Sequence, residues 1–92
     1  MLRFAWDPEK AAINLRKHGV DFSEAATAFG DPHSLSQPDT KHSTDEERWL
    51  LLGYSAQGRL LVVAHTEGTG EIRIIHARVA EKAERKAYEE EP

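Results

Sequence analysis

The segment Glu71-Ile72-Arg73-Ile74-Ile75-His76-Ala77-Arg78 constrains the fold most, because its β-branched apolar residues favour a buried β-strand. Arginine is rarely buried without a partner, and this segment carries two arginines and a histidine. A strand that holds a titratable base beside fixed cations suits the binding of a phosphate or another anion, and chemistry on it. The same residues also fit an edge strand with ordinary surface charges, and the segment alone leaves both interpretations open.

Two further strand patterns, at residues 48–55 and 59–66, precede this segment. The short turns Ala56-Gln57-Gly58 and Glu67-Gly68-Thr69-Gly70 join the three patterns, which predicts an antiparallel meander. Side chains alternate along a strand, so each strand is expected to present two distinct faces. The residues expected to share a face are Arg59, Leu61, Val63 and His65 on one strand, and Ile72, Ile74, His76 and Arg78 on the next. The turn between the two strands allows His65 to lie near Arg73 or His76.

Helix signals dominate the N-terminal third of the chain. Alternating apolar residues first predict a short strand at residues 2–6. Asp7 as N-cap and Pro8 at the first helical position then predict a helix that ends at His18, before Gly19.

A second helix is expected after a very short turn, with Asp21 as its cap. Its apolar face is formed by Phe22, Ala25, Ala26 and Phe29. A polar loop follows from residue 33 to residue 46, with one short strand near residues 34–37. A closing helix is predicted over residues 79–90, with inward residues Ala80, Ala83, Ala87 and Tyr88. The order predicts one α+β domain over residues 1–92, with an antiparallel sheet covered on one face by the two N-terminal helices.

Composition narrows the class of protein. The chain has no cysteine, which excludes disulfides and thiolate metal sites and agrees with a reducing cytoplasm. Charges and Pro8 come too early for a signal peptide, and no apolar run approaches the length of a membrane span. The net charge of −4 is unlike that of a simple nucleic-acid-binding domain. Cations are nevertheless concentrated between Gly58 and Tyr88, whereas the tail Glu89-Glu90-Glu91 is acidic.

The strand-rich half contains the inventory of a metal-independent ribonuclease. Such an enzyme needs a base for the ribose 2′-hydroxyl, an acid for the leaving 5′-oxygen, and cations for the charge that grows on the phosphate. The residues that match these needs are His65, His76, Glu47, Arg59, Arg73, Arg78 and Arg85. Structural histidines at strand ends explain the same inventory, and both interpretations stay open on spacing alone. Lys17 lies near the end of the first predicted helix, where a cation complements the helix dipole. Contact with RNA or a partner is the second interpretation of this residue.

Metal and cofactor sites are not expected. No two histidines have the helical or close loop spacing of a ligand set, although His18, His33 and His42 lie outside the sheet. The sequence also lacks a glycine-rich phosphate loop and a nucleophile elbow.

A set of short motifs is spread over nearly the whole chain. Those in the first half are Phe4-Ala5-Trp6-Asp7-Pro8, Lys10-Ala11, Asn14, Lys17-His18-Gly19-Val20, Phe22, Glu24-Ala25, Phe29 and Asp31-Pro32. Those in the second half are His42-Ser43, Glu46-Glu47-Arg48, Gly53-Tyr54-Ser55, Gly58-Arg59, His65-Thr66-Glu67, Ile72-Arg73-Ile74-Ile75, Ala77-Arg78, Glu84-Arg85 and Tyr88-Glu89. In this order and spacing the chain resembles BrnT-type toxins, the toxin half of a bacterial type II toxin–antitoxin pair.

The resemblance implies a RelE-like fold with about four antiparallel strands, RNA cleavage without a metal or cofactor, and arrest of translation in the cytoplasm. It also implies inhibition by a BrnA-like, DNA-binding antitoxin, in a higher-order complex that represses its own promoter. Two positions depart from the family pattern. His76 stands where the family usually has serine, and Gly68 stands where it often has arginine.

These observations lead to two hypotheses about function. In the first, Arg73 and Arg78 bind the scissile phosphate, and His76 or His65 transfers protons. Arg59, Arg85 and Lys17 then position RNA, and Glu47 is a possible base. In the second, the chain is a non-catalytic binding module that acts as corepressor with its DNA-binding partner.

Overall fold

The computed structural model describes residues 2–43 and 46–90, so the loop residues 44 and 45 and the end of the acidic tail, residues 91 and 92, lie outside the described residues. The elements are β1 (Arg3–Ala5), α1 (Pro8–His18), α2 (Phe22–Thr27), β2 (Leu35–Pro38), β3 (Trp49–Tyr54), β4 (Leu60–Gly68), β5 (Glu71–Val79) and α3 (Lys82–Glu90). The predicted α+β class is confirmed. None of the described helices is long and apolar enough to cross a membrane.

The strands form one five-stranded sheet in the order β1-β5-β4-β3-β2. The meander of β3, β4 and β5 is antiparallel as predicted, and β2 extends it on one side. The expectation of about four strands, all antiparallel, is wrong, because β1 runs parallel to β5, with Arg3 opposite Glu71. No tight turn connects β1 to β5, so the sequence carries no local signal for the direction of that pair.

The N-terminal helices begin and end where the sequence predicts. The Asp7 carboxylate accepts a hydrogen bond from the Glu9 N–H, and Gly19 ends α1 with a φ of 68°. Asp21 caps α2 in the same way. A 3₁₀ turn over Ala28–Gly30 follows α2 and contains Phe29, the last residue of the predicted apolar face.

The closing helix differs from the prediction at its start and on its inward face. It begins at Lys82, because β5 continues to Val79, which pairs with Leu61. Ala83 and Ala87 are exposed.

Polar and aromatic side chains attach α3 to the rest of the fold. Arg85 donates to the Tyr54 hydroxyl at 3.1 Å, and the Tyr88 hydroxyl donates to Asp31 at 2.6 Å. That bond raises the pKa of Tyr88 to about 12. The Tyr88 ring also packs edge-on against that of Tyr54, with centroids 5.3 Å apart. Alanine spacing was misleading because these longer side chains, which carry the contacts, do not follow it.

The apolar core lies between one face of the sheet and the two N-terminal helices. Its buried members are Val20, Phe22, Ala25, Ala28, Leu51, Leu61, Val63, Ile74 and Ala77. Trp6 and Phe29 pack against the edges of this cluster. The N-terminal helices therefore do not cover the opposite face of the sheet.

Asn14 of α1 is buried and ties its helix to the edge of the sheet. Its Nδ2 donates to the carbonyl oxygens of Ala77, at 2.8 Å, and Val20, at 3.0 Å. Its Oδ1 accepts from the Ala77 N–H at 3.1 Å. β1 pairs with β5 only as far as Arg73, and beyond that point Asn14 replaces the missing strand for Ala77. One side chain thus satisfies three buried backbone groups.

We expect Asn14→Leu to lower the free energy of unfolding by about 3 kcal/mol or more, because three backbone groups lose their partner at about 1–3 kcal/mol each. Arg16→Ala, at an exposed position of the same helix, is the control, with a change within about 0.5 kcal/mol. Urea unfolding followed by tryptophan fluorescence measures both variants. Equal stability of the two would contradict this role of Asn14.

A second polar cluster joins the α1–α2 turn to the hairpin between β3 and β4. The Glu24 carboxylate accepts hydrogen bonds from Nε and Nη2 of Arg59 and from the Ser55 hydroxyl, the first at 2.9 Å and the last at 2.7 Å. Arg59 Nη2 also donates to the Gly19 carbonyl oxygen at 3.0 Å. The hydrogen bond from Arg59, against the opposing effect of burial, holds the pKa of Glu24 below its ordinary value.

The lowered pKa of Glu24 predicts a loss of stability in acid. Its contribution is present above the unfolded-state value of 4.5 and disappears as pH falls through the lower folded-state value. Glu24→Gln should be less stable at neutral pH by about 1–3 kcal/mol and should lose less stability on acidification. Melting temperatures across the acid range measure the difference, with the exposed Glu89→Gln as control. Parallel acid profiles for wild type and Glu24→Gln would contradict the assignment.

A cationic cleft as the candidate active site

A cleft of about 570 Å³ opens on the face of the sheet opposite the core. We call it the cationic cleft. It is lined by Lys10, Asp39, Lys41, His42, Arg48, Leu50, Val62, Ala64, Ile75, His76 and Arg78. Apolar side chains of β3, β4 and β5 form its floor, and the described residues between β2 and β3 form one wall. Its volume is in the range of small-molecule and nucleotide pockets.

Hydrogen bonds hold the described part of that wall against the sheet. The Asp39 N–H donates to the Arg48 carbonyl oxygen at 2.8 Å. The Ser43 hydroxyl donates to the Asp39 carbonyl oxygen at 2.8 Å and accepts from the Arg48 N–H at 2.9 Å. These bonds fix the backbone from which Lys41, His42 and Arg48 extend into the cleft.

Positive charge is concentrated here although the chain as a whole is acidic. Lys10, Lys41, Arg48 and Arg78 line the cleft, and Asp39 is the one carboxylate among its described lining residues. The Asp39 carboxylate lies 3.0 Å from Nδ1 of His42. A low-dielectric floor rimmed by cations strengthens the field felt by an entering anion. The site is therefore suited to a phosphate-rich ligand.

A bulge in β5 places His76 in this cleft. Ala64 pairs with His76, but His65 pairs with Ile74, so Ile75 is an extra residue on its strand. Ile72, Ile74 and Ala77 face inward and are buried, whereas His76 and Arg78 line the cleft. The prediction that Ile72 and Ile74 share a face with His76 and Arg78 is wrong, because the bulge shifts the alternation by one residue.

His76 is half-buried, and its pKa lies below the ordinary value. Burial is the main cause, and the nearby positive groups His18, Arg78, Lys17 and His42 add to it. The imidazole is therefore neutral at neutral pH and can accept a proton. Lys17 and His18 lie beside it in an adjoining cavity of about 220 Å³.

Arg78 has two contacts that fix its guanidinium. Nη1 and Nη2 donate to the two carboxylate oxygens of Glu84 at 2.8 and 2.7 Å, a two-pronged pair that anchors α3. The pair raises the pKa of Arg78 and lowers that of Glu84. Nε and the outer hydrogen of Nη2 make no protein hydrogen bond among the described residues and are free to bind an anion.

The structure separates His65 from His76. His65 faces the core, is fully buried, and packs edge-on against Phe29 with ring centroids 4.8 Å apart. Its ring nitrogens lie 3.2 Å from the Val63 carbonyl oxygen and 3.1 Å from the Glu67 carboxylate. The neighbouring residue Ala64 lines the cleft instead, so alternation along β4 puts His65 on the wrong side for contact with a ligand there.

Four other predicted residues also lie outside the cleft. Arg59 is bound to Glu24, and Arg85 donates to the Tyr54 hydroxyl. Glu47 is exposed ahead of β3 and is not among the lining residues. Arg73 lines a separate cavity of about 130 Å³, together with Glu46, Thr66, Glu67, Gly68 and Glu71.

Sequence reasoning missed several cleft residues that come from distant segments. These are Lys10, Lys41, His42 and Arg48 in the cleft, and His18 in the adjoining cavity was missed as well. All except Lys41 lie within the motifs that carry the family resemblance, so those motifs were the one signal that could have identified them. These residues come together through the folding of the chain between β2 and β3, and no periodic pattern in the sequence predicts that folding.

The family described as "Ribonuclease toxin, BrnT, of type II toxin-antitoxin system" matches the chain over residues 6–84. A search of curated proteins finds no match. Among solved structures, the fold is similar to that of the Brucella abortus ribonuclease toxin BrnT, described at 1.1 Å resolution. The two chains are 21% identical with a TM-score of 0.68, over 89% of this chain and 100% of the other.

This structural likeness concerns the fold, including its mixed sheet and three α-helices. The family match spans most of the chain and contains all the described cleft residues. The chain therefore belongs to the BrnT family of ribonuclease toxins of type II toxin–antitoxin systems.

Proposed function

We propose that the chain is a metal-independent endoribonuclease whose active site is the cationic cleft. The observation that carries this proposal is the convergence of Lys10, Lys41, Arg48 and Arg78 around a neutral, half-buried His76 in an otherwise acidic protein. Cations that track phosphates supply most of the sequence-independent affinity for nucleic acid. A histidine near its working pKa supplies proton transfer.

The proposed reaction is attack of the ribose 2′-oxygen on the adjacent phosphorus, in the manner of RelE-type toxins. The bond from the 2′-oxygen to phosphorus forms as the bond to the 5′-oxygen breaks, which leaves a 2′,3′-cyclic phosphate and a 5′-hydroxyl. Neutral His76 takes the proton of the 2′-hydroxyl, and the leaving 5′-oxygen takes up a proton from an acid at the same site. Arg78 stabilises the charge that grows on the non-bridging oxygens, and Arg48, which lines the same cleft, adds to the positive field.

The remaining predicted residues take lesser parts in this proposal. Lys17, in the adjoining cavity, is placed to contact RNA next to the cleaved bond. Arg73 has acidic neighbours and would reach only flanking RNA. Arg59 and Arg85 serve the fold, through Glu24 and Tyr54. Cleavage of cellular RNA in the cytoplasm would stop translation.

Removal of Arg78 should lower kcat by about 10²–10³-fold, because one preorganised cation at a developing charge contributes that much. Arg78→Lys should recover part of the loss, since lysine lacks the planar two-pronged donor. His76→Ala should lose about 10²–10⁴-fold. Cleavage of a short RNA in EDTA, with detection of the cyclic phosphate end, measures all three.

Glu84→Ala is the matched control for Arg78→Ala. Both variants break the anchor of α3, but only Arg78→Ala removes a cation from the cleft. Glu84→Ala should therefore keep most of the activity. Equal losses in the two variants would show that Arg78 acts through α3 alone, and a fully active His76→Ala would refute the assigned site. Wild-type protein that cannot cleave RNA but still represses transcription with its partner would support the corepressor hypothesis instead.

A type II toxin requires an antitoxin, and we propose a BrnA-like, DNA-binding protein encoded beside it. Its carboxylates would occupy the cationic cleft and exclude RNA, because complementary charge steers and orients such encounters. The complex would be a higher-order oligomer that represses its own promoter.

The cleft cations should also govern capture of the antitoxin. The double variant Lys41→Ala/Arg48→Ala should associate more slowly and with weaker salt dependence than wild type. Lys82→Ala/Lys86→Ala, on exposed positions of α3, is the control with the same change in charge. Co-expression with the adjacent gene and stopped-flow association at several salt concentrations test this. Failure of wild type to co-purify would remove the proposed partner, and equal rates for the two variants would place binding elsewhere.

A further inference from the structure

The imidazole rings of His18 and His76 meet in the adjoining cavity, and His76 also lines the cationic cleft. Their Nε2 atoms lie 3.1 Å apart, and the rings are nearly perpendicular, with centroids 4.7 Å apart. His18 is the last residue of α1, and His76 follows the bulge in β5. At this distance one Nε2 carries a hydrogen and the other accepts it.

The shared hydrogen fixes the state of the two Nδ1 atoms. In a neutral pair, the ring that donates from Nε2 has a free lone pair on Nδ1, which makes Nδ1 a base. The ring that accepts at Nε2 must carry its own hydrogen on Nδ1, which makes that atom an acid. Neither Nδ1 has a hydrogen-bond partner among the described residues, and that of half-buried His76 is open to solvent.

The charges around the pair favour this neutral, singly bridged state. Lys10 and Lys17 of α1, Lys41, His42 and Arg48 from the β2–β3 connection, and Arg78 of β5 face the two rings or line the same cavities. Asp39 lies in the same wall but is engaged by His42. If both rings were protonated, their two Nε2 hydrogens would point at each other, and two more positive charges would lie among these cations.

The same surroundings argue against a metal bridge between the rings. No group of three or more potential metal ligands forms among the described residues, and the local field is positive. The contact is therefore a hydrogen bond between imidazoles.

We propose that His18 is a second catalytic residue and that the His18–His76 pair supplies both the base and the acid for RNA cleavage. The inference rests on the proposed ribonuclease function and deepens it. It also gives a role to His76, which stands where the family usually has serine.

The proton balance of the pair closes over one turnover. The basic Nδ1 takes the proton of the 2′-hydroxyl as the 2′-oxygen bonds to phosphorus. That ring passes its Nε2 hydrogen to Nε2 of the other ring. The second ring then releases its Nδ1 hydrogen to the leaving 5′-oxygen as the bond from phosphorus breaks. No net proton is gained or lost, and the pair ends with its two tautomers exchanged. Exchange of the Nδ1 hydrogens with water, together with return of the Nε2 hydrogen, restores the starting tautomers before the next turnover.

The relay predicts a distinctive pH profile. Two separate histidines, one protonated and one neutral, give a bell-shaped profile. The neutral pair is inactivated only by gaining a proton, which occurs below the ordinary histidine value of 6.5 because the pKa of His76 is lowered. Wild-type kcat/KM should therefore rise through the acid range and stay level up to about pH 9, where lysines begin to titrate.

The decisive experiment compares His18→Gln and His76→Gln on two RNA substrates. One has the natural 5′-oxygen leaving group, and the other has sulfur there, which leaves without a proton. Both variants should lose about 10²–10⁴-fold on the natural substrate. His18→Gln, which lacks the acid, should lose at least about tenfold less on the sulfur substrate, whereas His76→Gln, which lacks the base, should not recover. His33→Gln, at an exposed position outside the cleft, is the control and should behave as wild type on both.

The outcomes separate this inference from the proposed function. An active wild type with a fully active His18→Gln overturns only the role of His18. Equal losses for both variants on both substrates, or a bell-shaped wild-type profile, overturn the relay. A wild type that cleaves neither substrate overturns the proposed function, and the relay with it.

Discussion

The carboxamide of Asn14 binds both backbone groups of Ala77, the residue between His76 and Arg78 on β5. It therefore fixes the strand at the point where the site is built. The same helix carries Lys10 one turn before Asn14 and His18 one turn after it, and both face the open side of β5. Three hydrogen bonds of a single buried side chain thus set the distance between the helix-borne and strand-borne halves of the cleft. Much of the remaining geometry depends on that attachment.

Arg59 and Arg78 have distinct roles in this fold. Arg59 is held by Glu24 on the helix side of the sheet, where it joins the α1–α2 turn to the β3–β4 hairpin. Arg78 is held by Glu84 on the opposite face, where part of its guanidinium still reaches the cleft. In each case one carboxylate orients the cation, and the position of that carboxylate decides whether the arginine stabilises the fold or serves the site.

Local signals in the sequence were sufficient for much of the fold. Caps at Asp7 and Asp21, the stop at Gly19, and tight turns between apolar runs act over a few residues, and each predicted element that depends on them is present. The direction of β1 and the polar docking of α3 depend on partners far along the chain. The cleft depends on both local and long-range signals. The strand pattern of β5 predicts the position of His76, but Lys41, His42 and Arg48 reach the same cleft only when the chain between β2 and β3 has folded.

The extra residue at Ile75 divides β5 into two halves of opposite phase. Before it, Ile72 and Ile74 belong to the core, and after it Ala77 takes that role while His76 and Arg78 face outward. Deletion of Ile75 would give a regular ladder in which Ile74 still pairs with His65 and His76 still pairs with Ala64, so His76 and Arg78 would keep facing the cleft. The extra residue thus adds one apolar side chain to the floor of the cleft beside His76 without changing which residues face the core, and it marks a position in β5 where the loss of one residue leaves both faces of the sheet intact.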